Sequence, residues 1–441
     1  MSTPGPTAPD LSFLDEASAS RSADEHRRAR LALVLPVVVT VTWVVAVSLA
    51  GGWDRVWANV VAAPTMVFGS FVAGSTPQGG GAVAFPVFTK GLGVPSEVAR
   101  TFSLCIQTIG MGAASVAILV RRRPVSWPAV WVSVPVGVLG FAAGLLWLTD
   151  RGTPFWASVL PGPYVKVLFT LLVASMAFVV FLGSRVPVRE VRISLSPLGA
   201  RQVAFVVVGA FLGGLASSQV GSGSDVLLYL AVVVVLGLEP RVAVPTSVLV
   251  MAAVSACGLV WLGLVQGHLD VTVAGDLVTS VGGTDVTGAP GGGLDAGRYD
   301  LLGLWLGAVP IVCWGAPLGS AFAARLTTRQ LAGFVALLAG AEVVTTALFL
   351  TELRTDRGLL TFALVGGAVL VGLLYLCVPL RHRIAGVRVD ADRALTRDGV
   401  DVGPGYLAAG PSDVAGSAPG PPPGDRPDQP HQPGPEGRTV R

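Results

Sequence analysis

Charge is what this chain has least of. Only 13% of its 441 residues are Asp, Glu, Lys or Arg, while 52% are hydrophobic. Average soluble domains carry about 25% charged residues, so a water-exposed globule is excluded. Histidine is scarcer still: His26, His268, His382 and His431 all lie outside the apolar runs, which leaves no HExxH-like metal cluster at membrane depth. The four cysteines (Cys105, Cys257, Cys313, Cys377) form no CxxC pair and sit within apolar segments, as small packing residues do. No GxxxxGK[ST] phosphate loop occurs, so ATP does not drive this chain directly. No nucleophile, base and metal ligands cluster within the spans. The chain is therefore not read as an enzyme, and no cofactor is expected. A net charge of +3 is too small to argue for nucleic acid. The basic residues read instead as topology signals beside a lipid bilayer.

What remains is apolar runs of about 20 residues, each long enough to cross about 30 Å of hydrocarbon. They fall near 31–50, 98–120, 128–149, 163–183, 241–264, 301–324, 329–350 and 359–380. One stretch, 69–103, breaks the pattern with the sequence GSFVAGSTPQGGGAVAFPVFTKGLGVPSEVARTFS. An apolar run stops at a Gly-rich segment, Ser75 to Gly81, and a short piece, Ala82 to Leu92, follows. That piece is about 16 Å long as a helix, half a membrane. Inside a bilayer, broken helices are tolerated only where the freed backbone is buried in protein or lines a cavity. Their ends then serve as ion and substrate sites.

The stretch occurs twice. Gly69-x-Phe71-x-x-Gly74 recurs as Gly209-x-Phe211-x-x-Gly214, and Gly79-x-Gly81 recurs as Gly221-x-Gly223. Leu92-Gly93, Val98-Ala99 and Ser103 recur as Leu236-Gly237, Val242-Ala243 and Ser247. Three anchors in the same order point to duplication. The fold expected is an all-α polytopic membrane protein: about eight transmembrane helices plus two Gly-broken re-entrant pairs in an inverted repeat.

Charge orients it. With each broken pair dipping in and returning, Arg121-Arg122-Arg123, the Arg-rich loop 184–201, the Arg325/Arg329 corner and Arg381/Arg383 all face the cytoplasm. The loop 265–300, with five Asp and one Arg, faces outside. Three crossings separate the two pairs, so the copies enter from opposite sides, a recurrent transporter design. Repeat 1 spans about 31–160 and repeat 2 about 163–325, within a transporter domain at 31–383 and with further spans to 380. Residues 1–30 and the Pro/Gly-rich 384–441 are expected to be disordered cytoplasmic tails.

Each half-helix should start just after its glycines. Backbone N–H groups and the helix dipole there favour an anion, and glycine lets the backbone approach it closely. The candidate substrate-binding residues are Thr76, Gln78, Gly79, Gly80 and Gly81 in the first copy. In the second they are Ser218, Gln219, Gly221, Ser222, Gly223 and Ser224. Glycines can equally serve close helix packing. Ser103 and Gln107 share a face of the helix after the first break, and Thr246 and Ser247 hold the matching place in the second copy. These residues suit either a ligand or interhelical hydrogen bonds. Arg100 and Lys90 flank the first break, against the positive-inside pattern, and suit either anion attraction or snorkelling.

Two carboxylates lie at membrane depth, Asp225 and Glu342, and are candidates for coupling. Asp225 has Val83 as its counterpart in the first copy, and it is placed to carry a proton, ligate a cation or cap its half-helix. Glu342 suits a proton relay or a pairing with a polar neighbour.

The pattern of GxG break, apolar half-helix, G-x-x-x-x-V-A and Thr/Ser-bearing span resembles the sulfite exporter TauE/SafE family. The resemblance runs over about 31–380 and is carried by TPQGGGAVAFPVFTKGLGVPSEVARTFS and by SSQVGSGSDVLLYL followed by GLEPRVAVPTS. It implies a multi-spanning permease of the cell membrane for sulfite, sulfoacetate or other organosulfonate anions, with the two breaks as its permeation site. The second copy departs from the commoner Gly-Gly-Gly, reading Gly-Ser-Gly-Ser-Asp.

This topology makes a direct prediction. In a cysteine-free background, a cysteine at Thr284 should react with an impermeant thiol reagent in intact cells. Labelling only after permeabilisation would reverse the assignment.

Overall fold

The computed structural model describes residues 24, 27–153, 156–185, 199–274, 277–281, 284–285 and 298–384. Most of the N-terminal tail including His26, the 186–198 segment, and 385–441 including His431 lie outside the described residues. So do the side chains of Cys377 and His382.

In chain order the helices are α1 (Val34–Leu49), the short α2 (Trp53–Ala58), α3 (Ala62–Ser75) and α4 (Gly81–Pro86). Then come α5 (Ser96–Val120), α6 (Trp127–Trp147), α7 (Gly162–Arg185), α8 (Ala200–Val220), α9 (Ser224–Leu230) and α10 (Pro240–Gly258). After a small sheet follow α11 (Leu301–Ala323), α12 (Thr328–Phe349), α13 (Glu352–Thr355) and α14 (Arg357–Ile384). Among the described residues, seven helices are long and apolar enough to cross a membrane: α1, α5, α6, α8, α10 with its extension, α11 and α12. The chain is an all-α polytopic membrane protein.

The two breaks fold alike. Gly79 and Gly221 both take left-handed backbone, at φ of 67° and 72°, where side chains are costly. A π-turn, Val87–Gly91, prolongs α4, and another, Ala231–Val235, prolongs α9. Each half-helix turns back along the limb before it. Gly69 faces Val83 in the first hairpin, and Gly209 faces Leu227 and Ala231 in the second. The first limbs differ in length: α3 has 14 residues, but α8 has 21 and would span a membrane unaided.

Packing crosses between the copies. The last helix of the first copy, α6, runs along α8 of the second, and α11 runs along α3. Apolar helices in lipid gain little from burying more apolar surface, so small residues that let backbones approach decide which faces meet. A Cβ at Gly140 would stand 2.1 Å from the Phe211 carbonyl oxygen, and one at Gly319 would stand 2.0 Å from that of Phe71. Gly214 meets the Gly137 carbonyl and Gly74 the Ala316 carbonyl in the same way. The repeated Gly-x-Phe-x-x-Gly is therefore a helix-crossing motif, and the repeated GxG is the break itself.

The most enclosed of these spans is α5, with 61% of its most apolar stretch buried, against 17% for α1 at the periphery. Valines 37, 38, 41 and 45 of α1 accordingly face outward, as lipid-facing residues do. The segment 265–300, expected only as a loop, carries a four-stranded antiparallel sheet in the order β5-β4-β3-β6. Its strands are β3 (Val271–Ala274), β4 (Leu277–Val281), β5 (Thr284–Asp285) and β6 (Arg298–Asp300); β1 (Thr149–Asp150) and β2 (Ala157–Ser158) form a separate hairpin. Asp300 ties this face together. It accepts from Arg55 of α2 (Nη2 at 2.8 Å), its N–H donates to Asn59 Oδ1 (3.0 Å), and its Oδ2 caps α11 through the Gly303 N–H. The Asp300 hydrogen bond and charge hold the Arg55 guanidinium above its ordinary pKa.

Replacing Gly140 or Gly319 by Ala forces two backbones apart and should cost about 1–3 kcal/mol. Gly112 has nothing within 4 Å of where a Cβ would be. Thermal unfolding in detergent should therefore fall for G140A and G319A and stay near the parent for G112A.

Candidate functional site

The tips of the two hairpins meet. Ser222 Oγ donates to the Gln78 carbonyl at 3.2 Å, and Gln107 Nε2, from α5, donates to the Gly221 carbonyl at 2.8 Å. A Cβ at Gly79 would fall 2.9 Å from Asp225 Oδ2, 3.1 Å from Gln107 Oε1 and 3.4 Å from Ser222 Oγ. At Gly81 it would fall 2.8 Å from the Ser222 Cβ. Gly80 is the N-cap of α4, backed by Ile106 and Ala73. Only glycines let these tips approach so closely. Ser103 lines the same junction, its Cβ 2.8 Å from where one would stand on Gly221.

Several buried polar atoms at the tips have no hydrogen-bond partner among the described residues: both amide atoms of Gln78, Ser103 Oγ, Gln107 Oε1 and Asp225 Oδ2. An orphaned buried polar group costs about 1–3 kcal/mol, so five in one place make this junction the candidate site. Asp225 is fully buried, at the second position of α9. Its Oδ1 accepts from the Val226 N–H at 2.9 Å, and its Oδ2 faces Gly79. The N-cap is Gly223, at φ 136°, so Asp225 does not cap the half-helix from the N-cap position.

The other expected residues divide. Ser224 is engaged by Ser217, whose Oγ accepts the Ser224 N–H at 2.9 Å. The start of the second half-helix is thus partly answered from within, where fully open N–H groups were expected. Ser217 itself was missed, because one serine of an SSQ run carries no signal in sequence. Thr76 turns back, donating to the Val72 carbonyl at 3.0 Å. Ser218 Oγ donates to Leu215 O, and Gln219 reaches away from the tips, its Oε1 accepting from Ser158 of β2 at 2.7 Å. Arg100 stands at the second break, not the first. Fully buried, it donates to the carbonyls of Ser218 (3.2 Å) and Trp156 (3.4 Å). His268 lies edge-on to Trp156 nearby. Burial, then the Arg100 charge, pushes His268 down to about 4, so it is neutral at physiological pH.

Three expected residues bond elsewhere. Thr246 donates to Val242 O and accepts the Ser126 N–H at 3.0 Å, joining α10 to the start of α6. Ser247 donates to Val244 O within α10. Glu342 of α12 pairs with Lys90 of the first π-turn at 2.5 Å, and Thr170 donates to it at 2.8 Å. Lys90 also donates to Thr346 at 2.7 Å. Both charged side chains are 3% exposed, so this pair is an internal clamp between the hairpin and α12. Among the described residues no group of His, Cys, Asp and Glu could hold a metal ion.

A profile of the sulfite exporter TauE/SafE family matches residues 62–344, from the start of α3 into α12. The chain belongs to the sulfite exporter TauE/SafE family. It is accordingly a multi-pass membrane transporter. No curated protein and no solved structure matches it significantly. In this TauE/SafE chain both hairpins, both crossing helices and the Lys90–Glu342 clamp fall inside the matched region, while α1 and α14 lie outside it.

Breaking a buried pair from one side leaves an uncompensated charge, at a cost of about 3–5 kcal/mol. Glu342→Gln should lower the thermal unfolding midpoint markedly, and the double change K90M/E342L should recover most of the loss. A relay role for Glu342 would instead show as lost proton-driven uptake in that double variant.

Proposed function

We propose that this chain is a permease of the cell membrane that carries a small sulfur oxyanion or organosulfonate, sulfite being the simplest, together with a proton. The observation that carries the reading is the junction of the two tips, where buried polar atoms of Gln78, Ser103, Gln107 and Asp225 lack partners in the protein. The Gln78 amide and the Ser103 hydroxyl supply donors without a fixed positive charge. The beginnings of α4 and α9 add the positive ends of helix dipoles. A site of this kind holds an anion loosely enough to release it.

Asp225 supplies the coupling. An ionised carboxylate about 4 Å from a bound anion would cost about 4 kcal/mol at an effective dielectric constant of about 20. The anion therefore binds best when Asp225 is protonated, and by linkage the proton binds best when the anion is present. The two travel together, and neither termini nor loops need contribute. By the charge pattern, both termini and the arginine-rich loops face the cytoplasm.

A second reading keeps the scaffold but changes the cargo. Three acceptor oxygens, on Gln78, Gln107 and Asp225, lack partners at the junction, which would also suit a solute rich in donors, coupled through the same carboxylate. Counterflow of labelled sulfite, sulfate, thiosulfate and taurine in proteoliposomes separates the two readings. Asp225→Asn, which mimics the protonated state, should lose uptake driven by a pH gradient while retaining exchange of the same anion. Gradient-driven uptake equal to the parent would remove Asp225 from coupling.

A further inference from the structure

The arginines that orient the chain also gather around a cavity. It has a volume of about 240 Å³ and lies where the ends of α5, α10 and α11 come together. Arg121 and Arg123, just past the end of α5, line it, as does Arg241 in the first turn of α10. Gly74, two residues before Thr76 of the first tip, lines it too. Among the described residues no aspartate or glutamate does. Arg121 Nε is buried and has no hydrogen-bond partner among the described residues. Neither Arg121 nor Arg241 forms an ion pair among them.

Membrane topology accounts for basic residues at this end of the helices, but not for how they are arranged. Arg122 lies between two cavity-lining arginines, yet it is exposed and takes no part in the lining. Arg241 joins from the second copy of the repeat, so the cavity draws on both. Guanidinium groups match oxyanion geometry and stay charged when partly buried. A cleft lined by one sign of charge, with low-dielectric walls, raises the local concentration of counter-ions about 10- to 1,000-fold. The volume is about eight times the share of one water molecule in the liquid, enough for a small hydrated oxyanion.

We propose that this cavity is an anion vestibule, in which Arg121, Arg123 and Arg241 collect a small soluble oxyanion and deliver it past Gly74 to the hairpin tips. The permease reading is needed for the anion's onward passage, but its capture here stands independently. A lipid phosphate offers the same chemistry, so the test separates the two sources.

The full chain, with its native cysteines replaced and a cysteine at the cavity-lining Ala323, is placed in phosphatidylcholine nanodiscs. Its modification rates by sulfonatoethyl (anionic) and trimethylammonioethyl (cationic) methanethiosulfonate are compared with those of a free thiol. The anionic reagent should be favoured at least about tenfold over the free-thiol ratio. R121Q/R241Q should remove most of that preference, R121K/R241K should restore it, and R122Q should leave it intact. Added sulfate should slow the anionic reagent. A ratio equal to the free thiol's, or an R122Q loss as large as that of R121Q/R241Q, overturns the vestibule. So does a preference that phosphatidylglycerol abolishes while sulfate has no effect, because the cavity then belongs to a lipid headgroup. A clear preference without counterflow of any sulfur anion would keep the vestibule and end the permease reading. Counterflow without the preference would do the reverse.

Discussion

In hydrocarbon, an unpaired backbone carbonyl or N–H costs several kcal/mol, and no water is at hand to answer it. A helix can break at membrane depth only where other protein groups take over its lost hydrogen bonds. Here much of each break is answered by the other copy or by the helix between them. Ser222 of the second tip donates to the backbone of the first, and Gln107 of α5 donates to the backbone of the second. Ser217 takes up a freed N–H at the start of α9. The two tips stabilise one another as a pair, and neither would stand alone in lipid.

That mutual dependence extends to the scaffold. Because α6 packs on α8 and α11 packs on α3, the last helix of each copy supports the hairpin of the other. The Gly-to-carbonyl crossings leave no slack for these helices to slide independently. Movement at the junction is therefore expected to involve a hairpin and its supporting helix together. The Lys90–Glu342 pair fastens the far end of the first half-helix to α12, and the second copy has Val234 where Lys90 stands. The first hairpin is clamped by charge where the second is not, an asymmetry within an otherwise repeated design.

Charge is scarce in this chain, and each charged group at depth has a distinct setting. Arg100 is spent on the carbonyls of Ser218 and Trp156. Lys90 and Glu342 neutralise one another. Asp225 alone among these keeps an oxygen without a partner among the described residues, and that oxygen faces the junction. A carboxylate in that position has an energy that depends strongly on what else occupies the site, which is the property a coupling group needs.

The sequence by itself determined the class, the duplication and the position of both breaks. Hydrophobic run length and glycine spacing are local properties, and hydrocarbon punishes any other arrangement of the backbone. It also singled out Gln78, Gly79, Gly81, Ser103, Gln107, Ser222 and Asp225, which the structure brings to one junction. It could not sort the glycines, because a crossing such as Gly140 against Phe211 joins residues far apart in the chain and has no local signature. For the same reason it set Thr246 and Glu342 beside the site, whereas their partners are Ser126 and Lys90. It read Arg121, Arg122 and Arg123 as equivalent. Only the packing of α5 against α10 and α11 turns two of them toward a shared cavity and leaves the third outside it, since which way a side chain faces at a helix end is decided by its neighbours in space.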